Sequence, residues 1–416
     1  MGSESANIMY NRCPMYNLII IGGGAAGFFA AITAKKFYPN AKIIILEKSK
    51  ELLSKVKLSG GGRCNVTHAC FDLKQLIKNY PRGNKELLGP FHKFQPKDML
   101  TWLEEHNVKC QTEIDGRIFP TSNKSETIIN ALTQAANCEI LFNQNISVIE
   151  PLKNHFEIVA NDKTFKGETL LIATGSSLDG YNFAKKFGHT ILTPIPSLFA
   201  FNCPNSPLKD LTGIALDNIG VSIENTNFKV AGPLLITHFG FSGQAILNLS
   251  SLGARFLYEK NYQAVLNINW LTNFSFEKIL SILMTLKAKA PSKHLYLENA
   301  FNLPKNLWKK LLSLSCIDFE KPLGHFSNQQ FNDIAQKLHN DSYNINGKNI
   351  KDEFVTCGGI VLKEIDFRTM QSKLCERLFF AGEILDIDGL CGGFNLQNAW
   401  TTGFIAGSSA THHFLS

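Results

Sequence analysis

The chain has 416 residues, 44% of them hydrophobic and 19% charged, which excludes a disordered or fibrous chain and provides for two or three cored domains. No run approaches the ~20 apolar residues that a membrane-spanning helix needs. The formal charge of +7 admits a polyanionic partner without requiring one.

Residues Met1 to Tyr16 read as a polar leader, and the apolar run Leu18 to Ile21 is too short for a signal-peptide core, so the sequence reads as cytoplasmic. The 10 Cys residues form no C-x-x-C pair, which leaves zinc and redox-disulfide readings without support and predicts no metal site.

In chain order, Asn17 to Ile21 is a short apolar run of the kind a buried parallel strand shows. A glycine turn, Gly22 to Gly27, leads into helical spacing over Phe28 to Phe37, which Pro39 and Asn40 end. Ile43 to Leu46 is the second strand, closed by Glu47. The loop Ser59 to His68 is rich in glycine, and helices are predicted around Asp72 to Tyr80, Pro96 to His106 and Ser125 to Ala136. Glu139 to Glu150 and His155 to Val159 alternate like strands, and Thr169 to Ala173 is a further apolar strand.

After about residue 190 the character changes. Prolines crowd at 194, 196, 204 and 207, and short alternating runs such as Ile219 to Glu224 and Ala264 to Asn269 predict an antiparallel β unit. Phe274 to Leu338 is helical in pattern, and between Glu277 and Lys348 there are 10 Lys against 6 Asp plus Glu. Near residue 354 the first pattern returns: Leu378 to Ala381 is a strand ending in Gly382 and Glu383, and Gly392 to Ala406 runs from a glycine turn into a last helix. These readings predict an α/β chain in which residues 1–190 and 355–416 form one discontinuous, doubly wound domain. An antiparallel β-barrel-like domain (191–273 with 339–354) is inserted in it, with a small helical domain at 274–338.

Four segments carry chemistry. Gly22-Gly23-Gly24-Ala25-Ala26-Gly27 is a G-x-G-x-x-G in which Gly22 makes the tight turn, Gly24 lets backbone approach a pyrophosphate, and Gly27 lets helix pack on strand. The helix N-terminus offers N–H groups and partial positive charge to phosphates. Glu47, 20 residues past Gly27, is placed to accept from ribose hydroxyls. The pair LLIATG (Leu170 to Gly175) and LFFAGE (Leu378 to Glu383), added to that fingerprint, resembles the glutathione-reductase-like FAD fold. Ser59-Gly60-Gly61-Gly62-Arg63-Cys64-Asn65 frees backbone for a nest of N–H groups, with Arg63 available to a phosphate; a surface loop is the alternative. In DIDGLCGGFNLQNAW, from Asp386 to Trp400, Gly392-Gly393 precedes a long helix whose N-terminus would stabilise negative charge on a reduced flavin by roughly 0.3–2 kcal/mol.

Together with KLSGGGRCNVTH (57–68), GRIFPTSNKS (116–125), THFGFSG (237–243) and VTCGGI (355–360), these segments resemble the BaiN/RdsA-like NAD(P)/FAD-dependent oxidoreductases of bacteria over nearly the whole chain. The resemblance implies the discontinuous FAD domain and its inserts. It implies reduction of a C=C bond conjugated to a carbonyl, in a bile-acid intermediate or in uracil of ribosomal RNA, by hydride from flavin N5 to the β-carbon and a proton to the α-carbon. It implies FAD contacts at Gly22, Gly24, Ala25, Ala26 and Gly27, with Glu47 and Lys48 at the adenosine. The loop Ser59, Gly60, Gly61, Gly62, Arg63, Cys64 and Asn65, together with Ile146, Ala173, Thr174 and Gly175, would line the cofactor. Gly382, Glu383, Gly393, Phe394 and Asn395 would hold its ribityl and ring portions.

An ene reductase needs a proton donor, and a thiol with a pKa of ~8.5 stays protonated at neutral pH. Cys391 and Cys357 are the candidates, each with a small packed residue as the alternative; Arg117 is a candidate to polarise a carbonyl, with a surface ion pair as the alternative. His238 is a further acid candidate, though it reads more simply as a structural histidine in a tight turn, with Thr237 and Ser242 as turn residues. Without a second G-x-G-x-x-G, NAD(P)H is expected to bind only transiently as electron donor. The expected substrate is a small enone or a uracil-containing molecule, with ribosomal RNA a candidate partner and no membrane. Two further readings stay open: an amine or hydroxy-acid oxidase, and an RNA-binding flavoprotein whose FAD is structural.

Overall fold

The computed structural model describes residues 14–315, 318, 320–349 and 355–414; the expected leader therefore falls mostly outside the described residues, as do residues 350–354. The chain divides into two compact units, residues 1–194 with 358–416, and residues 195–357.

The first unit is built on five parallel strands, in the order Leu378–Phe380, Lys163–Ile172, Met15–Ile21, Ile43–Leu46 and Glu139–Leu141. Register is set by apolar pairs such as Ile19↔Ile44 and Phe380↔Ile172. Leu18, Ile19, Ile20, Ile44, Ile45 and Leu170 have no exposed surface, because both faces of the sheet are covered. Ile146–Pro151 and Phe156–Ala160 form an antiparallel extension onto Lys163–Ile172.

One face is covered by two helices from opposite ends of the chain, Ala25–Phe37 and Phe394–Ala410. They approach so closely that a Cβ at Gly403 would lie 2.5 Å from the carbonyl oxygen of Ala26, and one at Gly407 2.2 Å from that of Ala30. Those two positions must be glycine for the helices to meet. The helices at Pro96–Glu105 and Ser125–Ala136 form where the sequence predicts them, the former with a capping box between Gln95 and Asp98. A helix at Asn84–Lys93 runs through Gly89 and Pro90, residues that normally break helices.

A three-stranded antiparallel sheet, Thr67–His68, Arg117–Pro120 and Cys110–Thr112, sits apart from the main one. It pairs His68 with Arg117, so the strand following the triple-glycine loop lies beside the hairpin that carries Arg117.

In the second unit, six antiparallel strands run in the order Phe201–Asn202, Gly240–Ser242, Lys229–Thr237, Ala215–Ile223, Gln263–Asn269 and Asp341–Asn346. A bridge from Phe201 to Lys348 nearly closes the sheet into a barrel. The helices Phe276–Lys289, Lys305–Leu314 and Asn328–His339 share one apolar core with this sheet, through Ile279, Trp308, Phe331 and Leu338. Its polar centre is Asp341, buried, which accepts from Trp270 Nε1 (3.0 Å), from Lys337 Nζ (2.9 Å) and from the Tyr343 hydroxyl. Among the described residues no helix is long and apolar enough to cross a membrane.

Candidate active site

The glycine turn lies at the carboxyl end of the parallel strands, where doubly wound sheets bind ligands. Gly22 has φ +108°, and a Cβ there would stand 2.5 Å from the Ala173 carbonyl oxygen, so the turn can pass the neighbouring strand only as glycine. At Gly24 the opposite holds: φ is −90° and nothing lies within 4 Å of where a Cβ would be. That open space over the N-terminus of Ala25–Phe37 is the seat a pyrophosphate needs. Glu47 ends the second strand, and its carboxylate accepts from Gly23 N (2.6 Å) and Ser49 N (2.7 Å). It thus braces the turn from the side where ribose hydroxyls would sit. Lys48 pairs with Asp179 at 2.6 Å, both largely exposed. Ile146 begins a strand paired through Ala160.

Across the cradle stands the Ala173–Gly175 turn. Ala173 N donates to Ile21 O at 2.8 Å, and the Thr174 hydroxyl is buried without a partner among the described residues. A buried unsatisfied hydroxyl costs about 1–3 kcal/mol, so a polar ligand that reached it would recover that cost. A Cβ at Gly175 would be 3.7 Å from Glu383 Oε2, and Glu383 forms an ion pair with Lys55. Lys55 also donates to Ser176 Oγ at 3.3 Å, so 328 residues of chain are bridged over the cradle by one side chain.

The triple-glycine loop closes a third side. Gly61 and Gly62 have nothing within 4 Å of a Cβ position, whereas one at Gly60 would be 2.6 Å from the Phe119 ring. Ser59 Oγ donates to Val56 O (2.9 Å) and Cys64 N to Ser59 O (2.9 Å), which folds the loop on itself. Cys64, at φ +63° and buried, has its thiol pushed up to about 12 by burial and packs in the core. With its amide turned to match its neighbours, Asn65 donates to Thr67 O (3.1 Å) and accepts from Gly393 N (2.9 Å). The Asn395 amide makes two bonds to the backbone of Gly389, both 2.8 Å. Phe394 turns its ring into the core, stacked on His68 at 4.7 Å and edge-on to Tyr80. Gly382 N is taken by Thr402 Oγ1 at 2.9 Å. At this corner, then, Gly393 N is held by Asn65, and the Phe394, Asn395 and Asn65 side chains hold the loops in place. Open space over Gly24, Gly61 and Gly62, a bare helix N-terminus, a partnerless buried hydroxyl and a bridging Lys55 fit a dinucleotide such as FAD.

Two of the three catalytic candidates come together. Arg117 donates from Nε to Asp115 (2.7 Å) and from Nη2 to Glu113 (2.8 Å). Cys391 lies within the field of both Arg117 and Asp115, and its thiol is raised above the ordinary range, chiefly by burial. Cys357 belongs to the second unit, where it is buried against Ile195 and Ala254. His238 and Thr237 lie in that unit's Thr237–Gly240 turn, where the Thr237 hydroxyl accepts from Gly240 N at 3.1 Å.

Several functional groups escape a sequence reading. Glu113 also accepts from Arg63 Nη1 at 2.7 Å, and Arg63 lies over the Phe119 ring at 3.9 Å. The dipeptide Asp115-Gly116 between short apolar runs was the available signal for this hairpin. His68 donates through Nε2 to Asp115 O at 3.0 Å, and its Nδ1 is buried without a partner among the described residues. Burial lowers the pKa of this ring.

This cradle on a doubly wound sheet has clear relatives. The family model described as the HI0933-like protein Rossmann domain matches residues 16–409. The chain belongs to this family. The 3-dehydro-bile acid delta(4,6)-reductase of Clostridium scindens is 26% identical over 95% of this chain and 99% of its own length. The ribosomal RNA dihydrouridine synthase of Escherichia coli is 27% identical over 93% and 96%. Among solved structures, an open conformation of a flavocytochrome c3 fumarate reductase superposes with TM-score 0.51 at 15% identity, covering 97% of this chain and 79% of that one. That likeness is one of fold.

Proposed function

We propose that this HI0933-like chain is a cytoplasmic, FAD-dependent reductase of a C=C bond conjugated to a carbonyl, with NAD(P)H as transient electron donor. The observation that carries the reading is the convergence of a dinucleotide cradle with Arg117 and the half-buried Cys391 just before the last helix. Reduced FAD, when bound, supplies the hydride. The cradle residues Gly22, Gly24 and Gly27, with Glu47, Lys55 and the 59–65 loop, would bind and orient it. Arg117, held by Glu113 and Asp115, would polarise the acceptor carbonyl and stabilise its growing negative charge. Cys391, whose raised pKa keeps it a thiol at neutral pH, would hold the proton that the α-carbon takes.

Uracil in RNA and an enone such as a steroid both offer that acceptor, and the family includes relatives named for each. The formal charge of +7 and the exposed Lys289, Lys293, Lys305 and Lys309 of the second unit favour RNA, since phosphate contacts dominate such binding. The test is anaerobic: reduce the holoprotein with NADH or NADPH, mix with ribosomal RNA fragments or with a steroid enone, and follow flavin absorbance. Rapid reoxidation by RNA with dihydrouridine formed establishes the RNA substrate. Reoxidation by the enone alone establishes a small-molecule reductase. Reoxidation by neither, with oxygen effective, refutes the reductase reading.

A further inference from the structure

The hairpin beside the cradle contains a charge arrangement that bears on which acceptor the site takes. Each oxygen of the Glu113 carboxylate holds a different guanidinium: one accepts from Arg63 Nη1 at 2.7 Å, the other from Arg117 Nη2 at 2.8 Å. Asp115 takes Arg117 Nε at 2.7 Å, and Arg63 Nε donates to Gly60 O at 3.3 Å. Two cations therefore meet two anions, and the group is neutral as a whole. It still has donors to offer, since Arg63 Nη2 and Arg117 Nη1 have no partner among the described residues. The four side chains keep between 28% and 35% of their surface, so the group is half-sunk at the rim rather than sealed. Phe119 floors it, with both guanidiniums over its ring at 3.9 and 5.5 Å.

We propose that Glu113 is a positioning residue that aims and neutralises Arg63 and Arg117, so that the site selects a neutral conjugated carbonyl over a permanently anionic acceptor such as an unsaturated carboxylate. This rests on the reductase reading and narrows its substrate class. The physical reason is a difference in when charge arrives. A neutral carbonyl gains negative charge only as the reaction proceeds, and free guanidinium N–H groups already in place stabilise that charge without reorganisation. A carboxylate brings its full charge at binding and meets Glu113 and Asp115 at close range, with no net positive field to repay its lost hydration. The same balance acts on Cys391, where Arg117 and Asp115 pull in opposite directions and burial raises the thiol further.

The test uses the FAD-loaded protein and its Glu113→Gln, Glu113→Asp and Asp115→Asn variants. Benzoate serves as a non-reacting anion whose binding is read from the absorbance of the oxidised flavin. Turnover of 2-cyclohexenone is compared with that of 1-cyclohexene-1-carboxylate as separate kcat and KM values. Removing one negative charge at contact distance is expected to tighten benzoate binding about tenfold in E113Q and D115N. In the same variants the preference for the enone should fall by a similar factor, through KM for the carboxylate. E113D, which keeps the negative charge, should leave benzoate affinity within twofold of wild type. Benzoate affinities within twofold of wild type in both E113Q and D115N overturn the proposal, as does a wild type that already prefers the carboxylate. If no variant reduces either acceptor, the reductase reading has failed, and the benzoate titration still decides the charge selection on its own.

Discussion

The loop that carries Cys391 is tied down by a buried ion pair, and cutting it should be costly. Arg82 reaches Asp388 with Nε and Nη2, one to each carboxylate oxygen, and the two residues also form an antiparallel backbone bridge. The Asp388 side chain has no exposed surface and Arg82 keeps 15%. Arg82→Met preserves the aliphatic bulk and removes the charge, leaving a buried carboxylate without its counter-ion, a change that typically costs about 3–5 kcal/mol. For a folding unit of this size each kcal/mol moves the midpoint by ~2–4 °C, so thermal unfolding in saturating FAD should fall by roughly 6–20 °C. Asp388→Leu alone should cost as much, for the mirrored reason, while the Arg82→Met, Asp388→Leu double variant should recover most of the loss because neither charge of the pair remains. A drop below 2 °C for Arg82→Met, or a double variant as unstable as the two singles combined, would refute the account of the pair as the anchor of this loop.

Gly24→Ala should leave apoprotein stability within about 0.5 kcal/mol of wild type, since the site is open and φ is ordinary, yet weaken FAD binding at least tenfold; Gly22→Ala should fail to fold. A fluorescence titration with FAD beside thermal unfolding separates the two. His189 is buried between Glu364 (3.1 Å) and Ser372 (2.8 Å), edge-on to Phe380, and burial lowers its pKa. Because the unfolded ring has the higher pKa, the unfolded state takes up the proton first, so stability is whole above pH ~6.5 and declines as pH falls through that value. A His189→Gln variant should show a shallower decline between pH 7 and 5 in urea unfolding, and an unchanged slope would count against this role. Cys391→Ala should slow flavin reoxidation by the acceptor about 10²-fold while leaving its reduction by NAD(P)H unchanged, as stopped-flow absorbance would show.

The parallel sheet was legible because strands buried on both faces read as unbroken apolar runs: Leu18–Ile21, Ile43–Leu46 and Thr169–Ile172 need no partner to be recognised. The inserted strands Ala215–Ile223 and Gln263–Asn269 were legible through their alternation, with Ile219, Val221 and Ile223 buried and Gly220 and Ser222 between them less so. What stayed hidden depends on partners distant in sequence. The helix Asn84–Lys93 forms despite Pro90 because its buried face, Leu87 and Phe91, packs into the core, and tertiary burial outweighs local propensity. The small sheet that pairs His68 with Arg117 has strands of two to four residues, too short to show a period. For the site, glycines mark the cradle because the backbone requirement is local. Glu113, an acid beside two arginines 50 and 4 residues away, has nothing in its neighbourhood that tells it from any surface carboxylate.

The contact of Gly403 and Gly407 with Ala26 and Ala30 also sets a timetable. Each contacting pair is 377 residues apart, so the helix that begins the cofactor cradle leaves the ribosome long before the helix that covers it. At synthesis rates of ~5–20 residues per second, the two are separated by roughly 20–75 s. The inserted unit emerges whole within that interval and can fold first, whereas the parallel sheet lacks its edge strand Leu378–Phe380 and its covering helix until synthesis is nearly over. A chain stalled between residue 357 and the last helix therefore has its whole insert but a parallel sheet without its covering helix, so the cradle is complete only when synthesis is nearly over.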